Sequence, residues 1–222
     1  MDVYLVRHAQ SFENIGMKSS APDFKLSPKG IEQAEYLAKR FENVCFDKIY
    51  TSHLSRAIHT AAIVANRQKN SPTIIVDPDF SERGVPVDFC ADREYHKTLY
   101  PNIIYTQSSI KKEYSGDIER IEVPLWKYVF SPAFNETTLV ENSGETEIRT
   151  NPQKVLIVAH ASINACILSR LVNFRFDVNM NVFQDNTCVN HFRLFLHNGA
   201  QRTQFFSYND ASHLPDHLRR TY

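Results

Sequence analysis

Glycine is scarce: only six occur in 222 residues, and none of them builds the glycine-rich loop with which a nucleotide-binding α/β module cradles phosphate. That reading is the least supported of those considered. The four cysteines, Cys45, Cys90, Cys166 and Cys188, stand far apart, with no Cys-x-x-Cys pair and no histidine at zinc-ligand spacing. They read as reduced residues of a reducing compartment, and no metal is expected. No apolar run approaches the roughly 20 residues of a membrane helix, and Met1 leads straight into a strand-like run without a basic leader, so a cytoplasmic protein without membrane contact is expected. Excess charge is also lacking. Lys and Arg number 25 and Asp and Glu 25, which gives no reason to expect a nucleic-acid partner. A homodimer is compatible with this composition.

The length favours one domain over 1–222 carrying a sizeable insertion rather than two independent domains. Short apolar runs rich in β-branched residues alternate with segments of helical period. This predicts an α/β fold, a three-layer sandwich with a mostly parallel central sheet flanked by helices. Strands are expected at Val3 to Val6, Lys48 to Thr51, Thr73 to Val76 and Val155 to Ala159, the last a continuous apolar run suited to the centre of a parallel sheet. Ser27 and Pro28 read as an N-cap and a first helical proline, ahead of an apolar stripe of Ile31, Ala34, Leu37, Ala38 and Phe41. Leu54, Ala57, Ile58, Ala61 and Ala65 define a second helix, and Ile163, Ile167, Leu168 and Leu171 a third. Near the end, Val189 to Leu196 and Thr203 to Ser207 read as strands around an Asn198-Gly199 hairpin turn. Between these parts, roughly 84–150, the period is lost, and the stretch reads as a cap inserted over the sheet.

Four segments carry polar groups of one chemical kind to the ends of strands. The first strand ends in Arg7-His8, at the carboxyl edge where open α/β sheets bind ligands. A guanidinium offers forked donors to phosphate oxygens, and a neutral imidazole beside it can attack phosphorus and carry the group covalently. A surface ion pair and a strand-end plug would explain such a pair standing alone, but it does not stand alone. Arg56 falls in the first turn of a helix, where the dipole disfavours a cation unless an anion is bound beside it. Asp79 to Gly84 brings Glu82 just past the third strand, and His160 ends the most apolar strand of the chain.

Together these segments resemble the histidine phosphatase (phosphoglycerate mutase-like) superfamily. Its marks are an Arg-His-Gly motif after the first strand, a Ser-x-Leu-x-Arg-Ala segment, a Glu after the third strand and a late His-Gly. Leu26 to Ala34 is similar to the family's Leu-(Thr/Ser)-x-x-Gly-x-x-Gln-Ala helix start, and Arg56-Ala57-Ile58-His59-Thr60-Ala61 to its Arg-Ala-x-x-Thr-Ala. The resemblance implies that His8 accepts the phosphoryl group inside a pocket of Arg7, Arg56 and His160, with Asn14 as an added donor. It further implies that Glu82 is the general acid for the leaving oxygen and then the base for the hydrolytic water. Fixed donors would supply the electrostatic work, so no metal and no cofactor is implied.

The family glycine after each catalytic histidine is alanine here, at Ala9 and Ala161. Alanine does not reach φ above zero cheaply, so a left-handed turn at either position would loosen the phosphate fit and slow turnover. Asn142 to Thr146 is similar to the family's Gly-Glu-Ser/Thr segment, but little chain remains before the strand at Val155.

The reaction expected is hydrolysis of a small phosphorylated metabolite. The alternatives are a cofactor-dependent phosphoglycerate mutase and a catalytically weak regulator that binds phosphorylated ligands. A mutase needs added positive charge near the acid, yet 84–150 holds seven Lys and Arg against eleven Asp and Glu. The same stretch holds five of the ten tyrosines, Tyr95, Tyr100, Tyr105, Tyr114 and Tyr128, and the one tryptophan, Trp126. These read first as a small core of the cap, and second as walls of a leaving-group pocket for an apolar or sugar-like alcohol.

Overall fold

A computed structural model describes residues 1–18, 23–86, 92–108, 117–135, 152–171 and 183–219. Seven strands form one sheet: β1 (Asp2–Arg7), β2 (Lys48–Thr51), β3 (Thr73–Val76), β4 (Ile103–Tyr105), β5 (Lys154–Ala159), β6 (Val189–His197) and β7 (Ala200–Asp210). Their order is β4-β3-β2-β5-β1-β6-β7. Pairing is parallel from β4 through β1 and antiparallel between β1, β6 and β7. The carboxyl ends of β1, β5, β2 and β3 therefore lie along one edge, which is where the polar segments were expected to meet.

Among the described residues six α-helices lie between the strands: α1 (Pro28–Arg40), α2 (Ser55–Asn66), α3 (Arg93–Leu99), α4 (Asp117–Leu125), α5 (Ser131–Asn135) and α6 (Ala161–Leu171), with a π-helical turn at Trp126–Phe130 joining α4 to α5. Strand alternation divides the core. Val3, Leu5, Val155 and Ile157 pack with Ile163 and Ile167 of α6 and Ile121 and Leu125 of α4, whereas Val6, Leu156 and Val158 pack with Leu37 of α1 and Ala57 and Ile58 of α2. Side chains of period two thus feed two helical layers, and the parallel strands β1 and β5 are covered on both faces, as a parallel sheet requires.

Local chemistry explains the element ends. Ser27 Oγ accepts from Gly30 N–H at 3.0 Å and caps α1, whose second residue-type constraint is steric. A Cβ on Gly30 would stand 1.9 Å from the carbonyl oxygen of Gln10, so only glycine lets the start of α1 lie against the chain that follows β1. At the β6–β7 turn Asn198 and Gly199 both have positive φ, 51° and 72°, the geometry that the tightest hairpins demand.

Three sequence expectations change. Ile31, assigned to the apolar stripe of α1, is 41% exposed, while Gln33 on the inner side is buried for a polar reason given below. Part of the stretch read as a cap belongs to the main body: β4 joins the sheet beside β3, and Ile121, Leu125, Tyr128 and Val129 enter the main core, while Trp126 is 62% exposed. The left-handed turn considered for Ala9 and Ala161 is absent. Among the described residues the non-glycine ones with positive φ are Ser71, Thr187, Asn198 and Asn209, so alanine sits at both positions without backbone strain. Cys90, Tyr114 and the Asn142 to Thr146 segment lie outside the described residues.

Candidate active site

His8 follows the last residue of β1 and His160 the last residue of β5, and the parallel register that pairs Arg7 with Ala159 sets the two histidines side by side. Their ring centroids are 5.0 Å apart. His8 is buried, and its Nδ1 lies 2.7 Å from the carbonyl oxygen of Ala9. A carbonyl only accepts, so Nδ1 carries the proton and Nε2 keeps the lone pair. The backbone geometry thus selects the tautomer that leaves the lone pair on the far nitrogen.

Three motif residues hold this turn in place. Thr60 Oγ accepts from Ala9 N–H at 3.0 Å and donates to the Arg56 carbonyl at 2.7 Å, joining α2 to the residue after His8. Gln33 Oε1 accepts from Gln10 N–H at 2.9 Å, and its amide nitrogen donates to the Leu218 carbonyl at 2.8 Å. Ser27 Oγ reaches Gln10 Oε1 at 2.8 Å. The Thr, Gln and Ser positions of the sequence motifs are therefore scaffolding for the His8 turn.

Arg56 is the second residue of α2 and only 2% exposed. Its Nη2 faces the exposed Glu13 carboxylate at 3.3 Å, while its Nε and Nη1 are buried with no hydrogen-bond partner among the described residues. Both ring nitrogens of the fully buried His160 likewise lack a partner. Buried polar groups in this condition are rare and point to donors kept for a ligand. The anion expected beside Arg56 is supplied in part by the protein itself, as Glu13.

Arg7 donates to the Gln184 carbonyl and lines, with Asn14, Gln10 and Asn186, a cavity of about 220 Å³. Asn14 accepts from Ser11 N–H at 3.0 Å and from Asn186 at 3.3 Å, and Asn186 also donates to the His8 carbonyl at 2.9 Å. Glu82 is half-buried and accepts from Arg83 N–H at 2.8 Å. Its carboxylate is among the charges that stabilise the Arg56 cation, after Glu13 and before Asp23. The structure therefore gathers His8, His160, Arg7 and Arg56 closely and sets Glu82 at their border.

The electrostatics agree with a pocket built for an anion. Burial, then the Arg56 and Arg7 cations, hold His8 well below its usual range. Burial does the same for His160, reinforced by His8, Arg56, His53 and Arg7. His53, which sequence reasoning passed over, follows β2 and is buried at the same edge, its imidazole lowered to about 4 chiefly by desolvation. Asn186, Glu13 and His53 had no local signal, because each matters through a partner distant in sequence or set in the middle of a recognised motif. Among the described residues, no group of three or more His, Cys, Asp or Glu could hold a metal ion, and no helix is long and apolar enough to cross a membrane.

Stability should respond to pH in a definite direction. His8, His53 and His160 have folded values below the ordinary 6.5, so the unfolded chain binds protons that the folded chain refuses. Their contribution is complete above about 6.5 and is lost as pH falls below it, at about 1.4 kcal/mol per imidazole per pH unit at most. For His53 this continues to about 4. Asp2, lowered to about 2 beside Arg193 and His191, does not act until more acid conditions. The expected result is a Tm that drops steadily from pH 7 to pH 5; an unchanged Tm over that interval would mean that the imidazoles are not held neutral.

Residues 3–88 match the family model of the histidine phosphatase superfamily (branch 1). The adenosylcobalamin/alpha-ribazole phosphatase of Escherichia coli is 36% identical over 83 residues, 37% of this chain and 40% of that protein. A 2,3-bisphosphoglycerate-dependent phosphoglycerate mutase of Methanosarcina mazei is 25% identical over 186 residues, 77% of this chain and 76% of the mutase. Among solved structures, that of a putative alpha-ribazole-5′-P phosphatase from Escherichia coli shares the fold with a TM-score of 0.59 at 20% identity, covering 94% of this chain and 97% of the other. The chain spans less than half the length of the curated relatives with which it shares 36% identity or more. The match over 3–88 takes in well under half of the chain, and over that segment the chain is similar to the histidine phosphatase superfamily (branch 1).

Proposed function

We propose that this protein is a cytoplasmic phosphomonoester hydrolase that acts on a small phosphorylated metabolite through a phosphohistidine, without metal or cofactor, as one domain over 1–222. The observation that carries the reading is His8: a buried, neutral imidazole whose Nδ1 is committed to Ala9, beside two arginines and a second unpartnered imidazole. In the first step His8 Nε2 attacks phosphorus as the ester P–O bond breaks, and Glu82 gives its proton to the leaving oxygen. In the second, Glu82 takes a proton from water, water oxygen bonds to phosphorus, and the P–N bond breaks to return neutral His8 and phosphate. Arg7, Arg56 and His160 donate to the equatorial oxygens, which carry charge in both transition states.

The Methanosarcina relative favours a second reading, a mutase. A mutase must retain phosphohistidine while the substrate changes position, which calls for cations that hold a second anionic group. The stretch 84–150, with its excess of four negative charges, argues against such a grip. Both readings meet one experiment in chelator. With 3-phosphoglycerate, alone and with 2,3-bisphosphoglycerate, and with a panel of phosphosugars, nucleotides and aryl phosphates, phosphate release is expected to exceed formation of 2-phosphoglycerate. Faster isomerisation than release would overturn hydrolysis in favour of the mutase, and activity that vanishes in chelator and returns with a divalent ion would overturn the metal-free mechanism.

A further inference from the structure

We infer that Asp23 is a positioning residue for Arg56, acting through the first turn of α2 and a relay of side chains that reaches α3 and β4. Three contacts converge on the residue just before Arg56. Asp23 Oδ1 accepts from the Ser55 backbone N–H at 2.7 Å, Asp23 Oδ2 accepts from the Ser55 hydroxyl, and His96 Nε2 lies 2.7 Å from that same hydroxyl oxygen. His96 Nδ1 in turn lies 3.0 Å from the Tyr105 hydroxyl.

Proton bookkeeping gives the relay a direction. A carboxylate only accepts, so the Ser55 hydroxyl spends its hydrogen on Asp23. Its oxygen must then accept from His96, which places the imidazole proton on Nε2 and leaves Nδ1 to accept from Tyr105. Ser55 is buried and His96 fully so, and burial lowers the His96 pKa, which keeps the ring neutral and the relay in this one state. In a buried setting a chain of this kind is rigid, because reorienting any member leaves a polar group unsatisfied.

The consequence falls on Arg56. Leu54, the N-cap residue of α2, offers no side-chain oxygen, so the helix start has no cap from its own N-cap residue. Asp23 supplies the missing acceptor from a distant loop, and its charge also stabilises the Arg56 cation and acts on His53. Arg56 needs outside help of this sort, since among the described residues its side chain has one carboxylate contact, 3.3 Å away. Asp23 and His96 both contact Ser55, the residue before Arg56, and through it they set where the guanidinium stands.

The inference rests on the proposed role of Arg56, and a double-mutant cycle separates the two. Asp23→Ala, Arg56→Ala and the double variant are compared in kcat/KM for an aryl phosphate, in affinity for inorganic phosphate, and in Tm. Asp23→Ala is expected to lower kcat/KM about 10- to 100-fold through misplacement of the guanidinium, and to cause no further loss when Arg56 is already alanine, while the two Tm shifts add. The same loss in both backgrounds would reduce Asp23 to a general stabiliser and overturn the inference. Ser55→Ala, which cuts the hydroxyl arm and keeps the backbone arm, runs the same cycle should Asp23→Ala fail to fold. Inorganic phosphate affinity reads the coupling even if the wild-type protein turns over no ester, a result that would sink the hydrolase reading alone.

Discussion

His8→Ala is expected to abolish turnover, with a loss on the order of 10⁴-fold or more, the scale seen when a covalent nucleophile is removed from a preorganised site. No neighbour can substitute. His160 and His53 are buried at the same edge, but they follow β5 and β2, so neither is aimed from the end of β1 by the Ala9 carbonyl. A neutral imidazole is required for attack, and burial together with two guanidiniums keeps His8 neutral well below 6.5. Rapid quench in base with a phosphorus-labelled ester should trap a phosphoryl group on the wild-type chain that is stable in alkali and labile in acid, and none on the variant. Tm recorded on both proteins separates loss of chemistry from loss of fold. Residual activity above about one per cent with labelled phosphate still bound to the folded variant would assign the nucleophile to another residue.

Some of this architecture was legible in the sequence because it is written in short range. β2 and β3 appear at Lys48–Thr51 and Thr73–Val76 as read, since Ile49-Tyr50-Thr51 and Thr73-Ile74-Ile75-Val76 are short runs of β-branched and aromatic residues that leave few alternatives. The start of α1 was legible from Ser27 and Pro28, and the hairpin from Asn198-Gly199. β4 was not, because three residues at a sheet edge give no period, and α4 was hidden by Pro124 within it and by the π-helical turn that follows. Polar residues at motif positions were noticed without their purpose: Thr60 and Gln33 read as part of a pattern, and only the fold shows them gripping the backbone after His8. Asp23 could not have been singled out, since its importance lies in contacts 32 residues away with Ser55.

Arg56→Ala should separate function from stability more sharply than any other substitution in the site. As a donor to phosphoryl oxygens in a closed pocket, the guanidinium is expected to contribute about 3 to 4 kcal/mol to transition-state stabilisation, a loss of roughly 10² to 10³ in kcat/KM. The folded protein itself gains little from it. The side chain is 2% exposed, burial destabilises its charged form, and among the described residues two of its nitrogens have no partner and its one ion pair is with a half-exposed Glu13. A buried charge compensated this poorly costs desolvation that the ion pair does not return. The variant should therefore keep or raise its Tm while losing activity, the signature of a group retained for its ligand rather than for the fold. Arg56→Lys should recover only part of the loss, because an ammonium restores charge without the planar fork that meets two oxygens at once. A variant with near-normal kinetics would remove Arg56 from the phosphoryl pocket, and one whose Tm falls as steeply as its activity would make it a structural residue.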